Sequence, residues 1–469
     1  MQHYKMSKKV MIVLAVMCAL LYAALNQTVI GTITPHIVSD LGGMEHLSWI
    51  FTLFMLTSAV ATAIAGRLSD QYGRKRLVVA GLALLMVGSA LCGFSRTFWT
   101  LVLFRGLQGM GVGIIIAMSF TIVGDLFVPR ERGRWLGVVT SVYGIASLCG
   151  PVLGGYVADH SHWRWAFWMF LPVGAAALGF VGGVLPSLRF KADKALDYVG
   201  TFWLATAIVL LMLGFSLGGT YLNWSSPIII GLLILSVFAL AIFIRTEKRA
   251  AYPIMPLPMF NNRTYTLASL IGLASSVCMF GTIMYAPLYL QGVLGLSAAM
   301  SGALVMPLTL GLVSANSAAG WLVSRSGRYR KLALCGLAVM TLGMLGLSMM
   351  AVGSSLLTVM LCMAVFGIGL GTVLSVFTLI SQSAVDTSLL GSATSSFQLF
   401  RQLGATIGLS VMGTVLQHRL GQHDSDVERL SYALQGVFQI GLSASVMALL
   451  LGLCMIEIPL RSAEASNTE

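Results

Sequence analysis

Fourteen long apolar stretches, separated by short polar breaks, run from residues 10–33 to residues 434–458. Nothing else in the sequence limits the fold so severely. A membrane helix needs about 20 apolar residues, and lipid offers backbone groups no partner outside their own segment. The stretches are therefore predicted to be helices: an all-α integral membrane protein of fourteen transmembrane spans. Charged residues make up only 9% of the 469-residue chain and mean hydropathy is +0.89, too little polar surface to cover a soluble core of this size. Soluble enzymes, nucleic-acid binders and secreted disulfide scaffolds are excluded on that ground.

The net charge of +12 has a topological explanation. With the amino terminus placed inside, 22 of the 28 Lys and Arg fall on one side and 4 on the other, with Arg105 and Arg401 left within spans. This bias predicts both termini to be cytoplasmic. Lys5, Lys8 and Lys9 followed by apolar residues from Val10 to Leu25 read as the first span, since the run is too long for a signal-peptide core. The seven cysteines lie inside apolar runs without a CxxC spacing, and no metal or redox site is expected.

The chain repeats itself. Gly66, Leu68, Gly73, Arg74 and Arg76 recur at the same offsets as Gly320, Leu322, Gly327, Arg328 and Arg330. Gly109-x-Gly111-x-Gly113 is echoed by Gly367-x-Gly369-x-Gly371. The echoes predict two parallel six-helix bundles, residues 1–190 and 259–460. A linker over 191–258 adds two further spans, and a cytoplasmic tail covers 461–469. Parallel repeats of this kind occur in transporters, with the site at their interface.

The segment Gly66 to Arg76 is the most specific feature. Gly73 can end the second span in a positive-φ turn, and Asp70 stands where a carboxylate can complement a neighbouring helix start. With Arg74 and Arg76 this makes a charged clasp between bundles, the plainer reading being a basic membrane anchor. Arg105 with Gln108 at i+3 places a costly charge inside a span, either facing a cavity or bonded to backbone carbonyls. Gly150, Pro151 and Gly154 form a loosened small-residue face suited to close helix contact. This face is expected to make a bendable contact between the bundles, the plainer reading being ordinary helix packing.

These segments resemble three motifs of the major facilitator superfamily. Gly66-x-Leu68-x-Asp70-x-x-Gly73-Arg74-Lys75-Arg76 is similar to its motif A. The run from Leu101 through Arg105, Gln108 and Gly109 to Gly113 is similar to its motif B. Gly144, Gly150-Pro151, Gly154 and Gly155 are similar to motif C, the antiporter signature. Fourteen spans resemble its drug:proton antiporter branch. The resemblance implies a non-enzymatic carrier that exports amphiphilic small molecules through the cell membrane by alternating access. It would work as a monomer in the bilayer, driven by a proton gradient and needing no cofactor.

One departure matters. Asn26, in Leu25-Asn26-Gln27-Thr28, occupies a place where the resemblance leads one to expect an acid, and the spans hold no evident buried Asp or Glu. Coupling candidates are then Asp70, Asp125, Asp159 and His36. Cavity candidates are Asn26, Gln27, Tyr285, Tyr289, Gln398 and Arg401, the last two on a polar stripe with Thr394 and Gln402. Without a buried acid, neutral or anionic amphiphiles are favoured over cations. An uncoupled facilitator or lipid-type translocator stays open beside the exporter.

Overall fold

The computed structural model describes residues 4–455, apart from 44, 45, 48, 187–196, 220, 251, 387, 388 and 421–425; the expected tail lies outside them. The fold is all-helical: α1 (Met6–Thr28), α2 (Ile30–Leu41), α3 (Trp49–Tyr72), α4 (Arg74–Phe94), α5 (Phe98–Leu126), α6 (Pro129–His160), α7 (Trp165–Trp168) and α8 (Leu171–Val184) form the first half. Next come α9 (Tyr198–Leu217) and α10 (Pro227–Glu247), then a 3₁₀ turn at Leu257–Asn261. The second half is α11 (Arg263–Gly292), α12 (Ala298–Ser326), α13 (Arg330–Ser348), α14 (Leu356–Ser383), α15 (Leu390–Leu420) and α16 (Asp426–Leu453). Among the described residues, 13 helices are long and apolar enough to cross a membrane. The fifth expected span is the 32-residue α6, which is not one of them; its first turns carry Glu131, Arg132 and Arg134.

Local chemistry sets the helix starts. Thr97 and Thr100 form a capping box at α5. Asn262 accepts the amides of Thr264 and Tyr265 at α11, and Pro227 opens α10. Gly73 breaks α3 from α4 with φ 91°, a conformation side chains resist.

Each half packs alike. α5 lies against α3 and α4, as α14 lies against α12 and α13. The glycine echo explains it. Gly109 and Gly113 sit on the backbone of α3 at Phe54 and Ser58, while Gly367 and Gly371 sit on α12 at Leu308 and Leu312. Without a hydrophobic drive in lipid, close backbone approach is what such residues supply.

The α9–α10 pair turns Ile234, Val237 and Phe238 outward, a lipid-facing surface. Its inner face joins a separate apolar cluster: Leu204, Ile208, Met212 and Phe243 meet Leu56, Ala59 and Ala63 of α3 and Ala393 and Leu399 of α15. The pair thus touches both halves. We call the helix ends that carry Arg74, Arg134, Arg245 and Arg330 the basic end, and the opposite ends distal. At the distal end Asp40 accepts from Trp163 at 3.0 Å and Arg164 at 2.8 Å. These bonds hold its carboxyl below the ordinary carboxylate value. This clip is present above that ordinary value and is lost only as pH falls through the depressed one.

Candidate functional site

The two halves meet through glycines at the basic end. A Cβ on Gly66 (α3) would strike the carbonyl of Gly391 (α15), and its neighbour Ser395 Oγ at 2.6 Å. The mirror contact is Gly133 (α6) on Gly320 (α12), where a Cβ on Gly133 would stand 2.9 Å from the Gly320 carbonyl. The repeat that pairs Gly66 with Gly320 is therefore expressed as two equivalent crossings, each from the second long helix of one half to the fifth of the other.

Among the described residues, the first crossing carries a buried acid–base cluster. Asp70 Oδ1 pairs with Arg74 Nη1 at 2.6 Å, and Arg74 Nε donates to Asp125 Oδ2 at 2.9 Å. Arg74 also donates to Ser69 Oγ, which donates to the Gly66 carbonyl at 2.6 Å. Asp70 Oδ1 and Arg74 Nη1 lie 2.8 and 3.0 Å from where a Cβ on Gly391 would be. The network is thus pressed against the first turn of α15, where a carboxylate complements the helix dipole. Arg76 is exposed, and Lys75 donates to the Gly182 carbonyl. In the second repeat Ser324 replaces the acid, and Arg328 and Arg330 are exposed.

Arg132 is one of the 22 cations that set the predicted orientation. It is 2% exposed and donates to the Phe127 and Gln382 carbonyls. Gln382 in turn donates to the Phe120 carbonyl across the interface at 3.0 Å. At mid-height Gln402 donates to Thr62 Oγ1 at 2.9 Å. Toward the distal end α9 stands between α3 and α15: Ser216 bonds Thr52 at 2.6 Å, and Ser410 donates to the Phe215 carbonyl.

Arg105 is 1% exposed and stacks on Phe54 with its Cζ 4.0 Å from the ring centroid. It donates to Gln108 Oε1 at 2.7 Å. Gln108 donates to Ser89 Oγ at 2.8 Å, and Ser89 donates to Asn26 Oδ1 at 2.9 Å. Asn26 is 3% exposed and donates to the Tyr22 carbonyl. The position where an acid was expected is thus wired to Arg105 through two side chains inside the first half, rather than open to a cavity. Gln27 is half-buried.

Motif C needs a correction. Gly144 does face the other half, on Val313 of α12, but Gly150 and Gly154 lie on Thr28 and Thr32 of the same half, and Gly155 has nothing within 4 Å. Thr28 donates to the Ala146 carbonyl at 3.1 Å, which draws α1 rather than the opposite bundle onto this face. Pro151 and Asp159 lie within α6, their side chains outside the described set.

In the second half Arg401 donates to Gln398 Oε1 at 3.1 Å, leaving Gln398 Nε2 and Arg401 Nε buried without partners. Tyr285 is buried near Gly413 of α15. Tyr289 is buried and gives its hydroxyl to the Ala351 carbonyl, so it is committed inside the half. His36 is exposed. The expectation of no buried acid is overturned by Glu247, the last residue of α10, which is 3% exposed. Its flanking Arg245, Lys248 and Arg249 gave the sequence the look of a wetted loop.

The Major Facilitator Superfamily model matches residues 16–197 and 190–409. The Multidrug transporter protein MdtP of Bacillus subtilis is 37% identical over 417 residues, covering 89% of this chain and 77% of that protein. Multidrug resistance protein 3 of the same organism is 33% identical over 405 residues, covering 86% and 79%. In fold, the human organic anion transporter MFSD10 superposes with TM-score 0.71 at 17% identity over 95% of this chain and 99% of that one. The proton:xylose symporter XylE does so with TM-score 0.71 at 14% identity over 99% of each. The motifs, the repeated halves and these likenesses agree: the chain belongs to the major facilitator superfamily.

Proposed function

We propose that this chain is a secondary active exporter of hydrophobic and amphiphilic small molecules, working by alternating access and coupled to proton influx. The observation that carries the reading is the glycine-and-charge closure of the two halves at the basic end, with α9 inserted between α3 and α15 at the other. That arrangement supports a carrier held closed at its basic end. The multidrug names of relatives at 37% and 33% identity support the substrate class. The lysine and arginine bias supports a cytoplasmic basic end, and the bacterial relatives support a cell-membrane location. Residues 1–190 and 259–460 are the moving halves, 191–258 the linker, and a monomer suffices.

A second reading has its own support. Among the described residues no carboxylate pairs with Arg105, and Asn26 cannot titrate. A facilitator or lipid-type translocator of neutral or anionic amphiphiles fits that polarity.

Efflux of a dye panel in inverted vesicles separates the two. Collapse of accumulation by an uncoupler is expected; equilibration without accumulation, unchanged by the uncoupler, favours the facilitator. Arg105→Ala should lower efflux about tenfold, because Gln108, Ser89 and Asn26 lose the group that orients them, a loss near 1.4 kcal/mol. Asn26→Asp should place a carboxylate in the same chain of bonds and raise export of cationic dyes relative to neutral ones. Unchanged selectivity in that variant would remove Asn26 from the account of substrate charge.

A further inference from the structure

The linker pair holds two acids that none of the foregoing uses. Asp197 caps α9, its Oδ1 accepting the Gly200 amide at 2.8 Å. Glu247 closes α10, its Oε1 accepting the Met255 amide at 2.6 Å. Their remaining oxygens, Asp197 Oδ2 and Glu247 Oε2, are both buried and have no hydrogen-bond partner among the described residues. They point into one small space. A Cβ on Gly200 would stand 2.9 Å from Asp197 Cγ and 3.0 Å from Glu247 Oε2, so the glycine is what lets the two carboxyl groups converge.

Two carboxylates sharing a site cannot both keep their charge without a strong penalty, and a bound proton removes the repulsion while giving the orphaned oxygens a partner. Among the described residues, the surrounding charges do not substitute for it. From α3, the field of Arg67 reaches Glu247 without forming an ion pair. The segment Ile254 to Asn261 packed beside it has no titratable side chain. On α10 itself Arg245 and Lys248 are exposed. Of the cluster partners, Ala393 and Leu399 are apolar, and Tyr265 gives its hydroxyl to the Ala393 carbonyl.

We propose that Asp197 and Glu247 form a proton-binding carboxyl–carboxylate pair at the basic end of the α9–α10 hairpin. The proton closes the hairpin's base and, through Met255, fixes the chain entering the second half. Release of the proton to water leaves two anions that push α9 and α10 apart beside the Gly66–Gly391 crossing. The pair thus makes that crossing sensitive to pH on the basic side. The inference is independent of the export reading, since the pair needs its proton whether or not transport is proton-driven.

Infrared difference spectroscopy of the purified full chain in lipid nanodiscs, titrated in pH, tests it. A carboxylic-acid carbonyl band should persist near neutral pH. Glu247→Gln, which keeps an oxygen for the Met255 amide, should remove it. Asp197→Asn, which keeps the helix cap, should move its titration down by about one pH unit or more, because the like charge is gone. No such band in the wild type would overturn the proposal without recourse to any variant. A band surviving Glu247→Gln, or a titration unmoved in Asp197→Asn, would also overturn it. Dye efflux measured in parallel keeps the two readings apart: a titrating band with uncoupled efflux retains the pair and discards proton-driven export.

Discussion

Replacing Asp70 by Asn is expected to lower the initial rate of efflux at least tenfold while the protein still folds and inserts. Arg74 sits between Asp70 and Asp125, buried at the first turn of α15. The Asn keeps an acceptor but not the charge, so Arg74 is left with one carboxylate. Loss of a hydrogen bond to a charged group costs about 1.5–3 kcal/mol. Spent on the closed state alone, that shifts the ratio of closed to open forms at the basic end by roughly 10- to 100-fold. A cysteine placed at Ser395, which faces Gly66, should become more reactive toward a polar thiol reagent from the basic side. Unaltered efflux together with unaltered labelling would remove the acid–base cluster from the gate.

The second large effect is expected from Gly66→Leu. Its side chain would enter the space held by the Gly391 carbonyl and Ser395, and backbone cannot yield as a side-chain tip does. Overpacking of a tight contact costs about 1–3 kcal/mol or more. Here it falls on the crossing between halves and not on the core of either. The expected result is a protein of normal abundance, open at the basic end, with efflux reduced more than tenfold and substrate still able to bind from that side. Gly320→Leu, against Gly133, should behave likewise. Gly155→Ala is the contrast: with nothing within 4 Å of its Cβ position, it should leave efflux within about twofold of wild type, in line with the small effects of surface substitutions.

Much of this was readable from the chain because the signals are local. Apolar runs locate helices without reference to their neighbours, and the spacing of Gly66 to Arg76 and of Gly109 to Gly113 repeats at fixed offsets, so a likeness between two parts of the chain is legible in it. What could not be read were choices of partner. Gly150 and Gly154 can receive any helix; that they take α1 depends on Thr28 lying opposite. Asn26 drew notice as a substitution, yet its meaning comes from Ser89 and Gln108, which other helices bring to it. Arg132 and Glu247 were hidden by their basic surroundings. Each stands in a charged stretch that reads as a wetted boundary, and only the packing of distant segments over them removes the water.

The two crossings are alike in backbone and unlike in chemistry. Between Gly133 and Gly320 the backbones meet beside the buried Arg132, and Ser324 stands in the place that Asp70 holds on the other side. A pair of shells fastened like this has a pivot on one flank and a bolt on the other. It should part asymmetrically, swinging from the α6–α12 edge and admitting solute first along the α3–α15 edge, beneath the linker hairpin.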